Sequence, residues 1–141
     1  MKTVETRVYL DTSAYLAVLL GEDEADLIQR ETQNKILCSS TLLLIEAERN
    51  LVQLVRERKL EQETYGKALE RLLQDVESFQ LRELTADLCL TQEFPPTRTP
   101  RSSDLAHLRT ARWFQQNGGL SRFLSLDKSQ IAAAREFRLP T

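Results

Sequence analysis

Residues 8–14 read Val8-Tyr9-Leu10-Asp11-Thr12-Ser13-Ala14. A run of strand-favouring apolar residues carries straight into an acid and two hydroxyls, and an apolar helical pattern begins behind them. Read as strand, acid, helix, this stretch puts one carboxylate at the mouth of a sheet. The strand is expected over 7–10, and the helix over 13–20, ended by Gly21. Working outward, the acidic stretch 22–26 opens a second helix to about residue 33. Its acids favour the positive end of the helix dipole, and solvated capping explains them.

Ile36-Leu37-Cys38 reads as a second strand, closed by Ser39 and Ser40. A long helix follows over 41–58, with Leu44, Ala47, Leu51, Leu54 and Val55 as its buried stripe. Another helix is expected over 61–76, with Tyr65, Ala68, Leu69, Leu72 and Val76 facing the core. A third strand falls at 79–81 and a short helix at 85–93. The stretch 95–103, rich in proline and hydroxyls, is a loop. A helix over 104–116 stops at Asn117-Gly118-Gly119. A fourth strand spans 122–126, a last helix 127–136, and Phe137 to Leu139 offer a fifth, edge strand. Strands alternating with helices predict an α/β domain: a short parallel sheet of four to five strands sandwiched between helices.

The 141 residues, 41% hydrophobic, suit one domain over 1–141 with a single core. A formal net charge of −2 gives no global attraction to nucleic acid, so any such pull must be local. Cys38 and Cys89 have no metal-site spacing and read as buried free thiols, in keeping with a reducing cytoplasm. The longest apolar run, Ala14 to Leu20, is too short to span a bilayer, so no membrane is expected.

Three further acids fall in places comparable to Asp11. In open parallel sheets, ligands bind beyond the carboxyl ends of the strands. Asp127 directly follows the fourth strand, Glu46 lies in the second turn of the helix after the second strand, and Asp104 opens the helix after the proline loop. The four are expected to share one rim and form a pocket for a hard cation such as Mg²⁺ or Mn²⁺. Each has a plainer reading beside it. Asp11 is also an N-cap candidate, although Thr12 or Ser13 would cap equally well. Asp104 also suits a helix dipole after a Ser103 cap, and Asp127 with Gln130 resembles a capping box. Glu46 follows four apolar residues, which implies a turn buried nearly all round, where a carboxylate needs a cation or donors. Glu48, roughly 200° around the helix, reads as solvated. His107 lies one turn from Asp104 and reads as a packing or supporting residue.

The stretches VYLDTSAYLAVLLGE (8–22), SSTLLLIEAERNL (39–51), SSDLAHLRTARWF (102–114) and FLSLDKSQIAAA (123–134) together resemble the PIN domain family, and within it the VapC-type ribonuclease toxins. The resemblance implies a PIN-like fold and Mg²⁺- or Mn²⁺-dependent cleavage of RNA. It also implies a homodimer, and inhibition by a VapB-like antitoxin encoded alongside. Carried over by position, Asp11, Glu46, Asp104 and Asp127 are the catalytic, metal-holding acids, and Ser13 supports the site. The C-terminal FRLPT departs from the glycine-containing turn of many relatives.

For RNA, residues 95–126 hold five arginines against one acid, a net of +4, whereas residues 61–93 hold eight acids against three bases, a net of −5. Arg98 and Arg101 on the loop, with Arg109, are the candidate phosphate contacts. Trp113 and Phe114 are candidates for base stacking or for core packing. Clustered carboxylates without a metal repel one another, so some should hold protons, and activity should fall in mildly acidic buffer. Two other functions compete. One is a PIN scaffold that binds RNA or a protein without cutting. The other is an aspartyl-phosphate phosphatase, against which Ser13 stands where that pattern wants a second Asp.

Overall fold

The structure, a computed structural model, describes residues 6–92 and 96–141. Glu93 and Pro95, where a helix was expected to end and a loop to begin, lie outside the described residues. The first strand, Arg7–Leu10 (β1), is buried over three of its four positions. It leads through Thr12–Leu19 (α1) and Ala25–Thr32 (α2) to Ile36–Ser40 (β2). The long helix Leu42–Arg56 (α3) and Gln62–Glu77 (α4) return the chain to Gln80–Arg82 (β3). Ala86–Cys89 (α5) and Ser102–Gln116 (α6) lead to Arg122–Leu124 (β4), and Lys128–Glu136 (α7) closes the chain.

All pairings are parallel, in the order β3-β2-β1-β4. Tyr9 lies opposite Cys38 on one side and Phe123 on the other. The chain steps outward from β1 to β2 to β3, then jumps back to place β4 on the other side of β1. The strand order therefore reverses between β1 and β4, the point where open α/β sheets bind their ligands. Alternation along β1 divides its side chains between two cores. Tyr9, with Cys38 and Phe123, packs against Leu108, Ala111 and Phe114 of α6 and Ala133 and Ala134 of α7. Val8, Leu10 and Leu124 face Ala14 of α1 and Ile28 of α2. On that second side, Tyr15 and Leu16 of α1 meet Leu43 and Ala47 of α3 and Leu72 of α4. The expected α/β sandwich is thus present, with four strands among the described residues.

Several expectations are corrected. Phe137 to Leu139 form no edge strand. Arg138 takes φ 59°, and the amide of Leu139 donates to the carbonyl of Ala134, closing α7 in a turn that tucks Leu139 into the core. α3 ends the same way, with Arg58 at φ 59° and Lys59 donating to Leu54. An arginine thus fills the left-handed position where glycine is usual, at a cost of about 1–2 kcal/mol each. The α3 stripe is Leu43, Ala47 and Leu51; Leu44, Leu54 and Val55 are half-buried. Ile45 is 69% exposed, so the turn before Glu46 is not buried all round. Cys89 is exposed, because α5 is a single turn on the surface, whereas Cys38 is buried.

α6 stops where Gly118 and Gly119 adopt φ 111° and 95°. A Cβ on Gly118 would also run into the guanidinium of Arg7, a flexible group that can yield. Gly118→Ala should therefore cost on the order of 1–2 kcal/mol, mostly backbone strain, read as a lower thermal midpoint.

Candidate functional site

The carboxyl edge of the sheet carries the four acids. Asp11 caps α1: its Oδ1 accepts the amide of Ala14 at 3.1 Å and the hydroxyl of Ser13 at 2.7 Å. Ser13 in turn accepts the amide of Leu126 at 3.0 Å and lies 3.3 Å from the hydroxyl of Ser125. The Ser125 hydroxyl also accepts the amide of Asp127 at 3.1 Å. Two serines thereby tie the end of β1 to the turn after β4. Asp11 is buried and, among the described residues, forms no ion pair. Burial pushes its carboxyl above the ordinary value, against the pull of the serines and the Ala14 amide.

Glu46 sits within a polar network that α3 alone does not supply. Its Oε1 accepts the hydroxyl of Thr12 at 2.9 Å and meets Nε2 of His107 at 2.6 Å. An ionised carboxylate only accepts, so Nε2 carries the proton. In the neutral ring, Nδ1 then accepts the Tyr9 hydroxyl, 2.7 Å away. Thr12 also lies 3.2 Å from Nε2. Burial raises the Glu46 carboxyl, but bonds from His107, Thr12 and Ser103 outweigh it and hold the group below its ordinary value. Tyr9 of β1, Thr12 of α1, Glu46 of α3 and His107 of α6 thus form one connected unit.

Asp104 lies in the first turn of α6 and is buried. The helix begins two residues earlier than expected, with Arg101 rather than Ser103 at the N-cap. Asp104 accepts the Arg101 amide at 3.1 Å and forms an ion pair with its guanidinium at 3.3 Å. Arg101 also feels the charges of Glu46 and Asp127, so all three acids lie within its electrostatic reach. The backbone carbonyl of Asp104 accepts the buried Gln130 amide at 2.9 Å, locking α6 to α7. Asp127 caps α7, and bonds from Ser129 hold its carboxyl below the ordinary value.

The four acids therefore share one edge, at the reversal of strand order, but they do not close into a ligand set. Among the described residues no three His, Cys, Asp or Glu side chains are gathered as metal ligands. Glu46 is taken by His107 and Thr12, and Asp104 by Arg101. A raised carboxyl is found at Asp11, and its main cause is burial rather than repulsion between acids. Of these acids, Asp11 best suits a hard cation: it is a buried carboxylate whose bonded partners are neutral hydroxyl and amide donors.

The arginines divide differently from the charge count along the chain. Arg109 bonds the carbonyl of Cys89, Arg112 bonds the carbonyl of Phe137, and Arg122 pairs with Glu31. Arg98 is exposed, and Arg101 is held by Asp104. Trp113 is half-buried, edge-on to the buried Phe114 at 5.2 Å, with Arg82 over its ring. Both aromatics are therefore occupied by packing. Thr12, Tyr9, Ser103 and Ser125 are the site residues that sequence reasoning passed over. Each of the four is adjacent to a predicted acid or two residues away, which is the one signal the sequence offers for them.

No helix among the described residues is long and apolar enough to cross a membrane. No family model matches the chain, and no curated protein matches it. Among solved structures it is similar to the crystal structure of PAE2754 from Pyrobaculum aerophilum, at 16% identity and a TM-score of 0.52, over 93% of this chain and 81% of that one. At that identity the likeness shows a shared α/β fold alone.

Proposed function

We propose that the protein is a Mg²⁺- or Mn²⁺-dependent endoribonuclease. The observation that carries the reading is Asp11: a buried carboxylate without an ion pair among the described residues, at the sheet's switch point, on the same edge as Glu46, Asp104 and Asp127. Asp11, Glu46 and Asp104 would hold the ion, with Asp127 completing the site. A divalent ion there would polarise an RNA phosphodiester and supply hydroxide from bound water. The chain's own residues prepare the ligands. Ser13 fixes Asp11, His107 and Thr12 fix Glu46, and Gln130 anchors the backbone of Asp104. Arg101 must release Asp104 for it to ligate, and is then free to take a phosphate oxygen.

Purified protein incubated with RNA should cleave it in Mn²⁺, leaving 5′-phosphate and 3′-hydroxyl ends, and lose all cleavage in EDTA. Because burial raises the Asp11 carboxyl, the rate should fall in mildly acidic buffer as that group takes up its proton. No cleavage over a broad RNA panel favours the second reading, a scaffold that binds RNA or a protein without cutting. The Arg101–Asp104 ion pair is what speaks for that alternative, since it occupies a ligand position. The resemblance to VapC-type toxins extends the first reading to a cytoplasmic homodimer restrained by a VapB-like antitoxin. A short upstream reading frame encoding a DNA-binding N-terminus would support this extension.

A further inference from the structure

We propose that the cleft between α3 and the start of α6 is a phosphate subsite for single-stranded RNA, with Arg49 as its principal donor. The proposal rests on the ribonuclease reading and specifies where its substrate strand lies. The cleft has a volume of about 350 Å³ and is lined by Glu46, Arg49, Asn50, Arg101 and Ser103. Every lining side chain is polar or charged, which disfavours an apolar ligand. Glu46 and Arg49 are three residues apart on one helix, so they share a face. An anion held by Arg49 therefore sits beside the acidic edge.

The donors divide by how far they are committed. The Asn50 amide donates to the carbonyl of Glu46 at 2.8 Å. Arg101 spends Nε and Nη2 on Asp104. Arg49 lines the cleft, is exposed and has no hydrogen bond or ion pair among the described residues, so its guanidinium is uncommitted. The carboxylate in the cleft is engaged by His107 and Thr12, and among the described residues it forms no ion pair with Arg49. With Arg109, Arg112 and Arg122 committed elsewhere and Arg101 held by Asp104, Arg49 is the uncommitted guanidinium among the residues that line the cleft. A planar fork suits the two free oxygens of a phosphodiester, which it can bind in bidentate fashion.

The test uses the full chain carrying Asp11→Asn, expected to bind RNA without cutting it, in Mg²⁺. Affinity for a short fluorescein-labelled single-stranded RNA is followed by anisotropy across a salt series. Adding Arg49→Gln should weaken binding about three- to tenfold and reduce the slope of log affinity against log salt by about 0.7, one phosphate contact on a single strand. Arg49→Lys should keep the slope and lose part of the affinity. If Arg49→Gln leaves both affinity and slope unchanged while the parent chain binds RNA, the subsite is overturned and the ribonuclease reading stands. If the parent chain binds no RNA, that reading falls and the subsite with it. Because Arg49 is exposed, an unchanged melting curve is expected, which separates lost binding from lost fold.

Discussion

Asp11→Asn should raise the thermal midpoint at neutral pH while lowering the rate of RNA cleavage by at least about a hundredfold, more than loss of a supporting residue around a metal usually costs. The two effects have one cause. Asp11 is a desolvated carboxylate with hydroxyl and amide donors but no ion pair among the described residues. Its folded-state pKa is raised, so the folded protein holds that proton more tightly than the unfolded chain does. The associated stability is complete below the ordinary carboxylate value and is lost as pH rises through the raised one. At neutral pH the ionised group therefore opposes folding, and asparagine removes the charge. Its Oδ1 can still accept from Ser13 and the Ala14 amide, and asparagine is a good N-cap. A gain of about 0.5–2 kcal/mol is the scale expected for such a change. Saturating Mn²⁺ should stabilise the wild type and leave the variant's midpoint nearly unmoved. A variant that cuts RNA at the wild-type rate removes Asp11 from the chemistry, and one that melts earlier contradicts the account of its charge.

His107→Ala should destabilise the protein by about 2–4 kcal/mol, from lost hydrogen bonds and the cavity left in a buried site. The imidazole is 3% exposed and lies between the Tyr9 hydroxyl and Glu46. Its removal leaves burial less opposed at Glu46, so that carboxyl rises and its side chain loses its strongest tether. Mn²⁺ affinity, followed by the shift of the melting curve with metal, should fall together with stability. His107→Gln, whose amide can still donate to Glu46, should recover part of the metal affinity. A role confined to packing would move the urea midpoint in both variants and leave metal affinity alone.

Much of this arrangement was legible in the order of residues. Asp11 and Asp127 stand just past apolar runs, and in a parallel sheet such runs end on one edge. The alternation of runs and helical stripes also carried the four strands and the sandwich. Glu46 was singled out on a premise that fails, since Ile45 faces solvent at 69% exposure, yet it does find donors. Those donors come from residues 34 and 61 positions away, Thr12 and His107, and periodicity within one helix cannot report them. The arginine-rich segment shows the same limit. Its charge was countable, but whether Arg109, Arg112 and Arg122 point to solvent or to internal carbonyls and Glu31 depends on neighbours distant in the chain.

What the sequence determined by itself was local: which stretches become strand or helix, and which acids follow them, because backbone preference and hydrophobic period act over a few residues. What only the tertiary structure decided was partnership. His107 goes to Glu46, Arg101 to Asp104, and Asp11 is left with neutral donors, because a hydrogen bond or ion pair needs atoms within about 3 Å, and only the packed fold brings such distant residues that close.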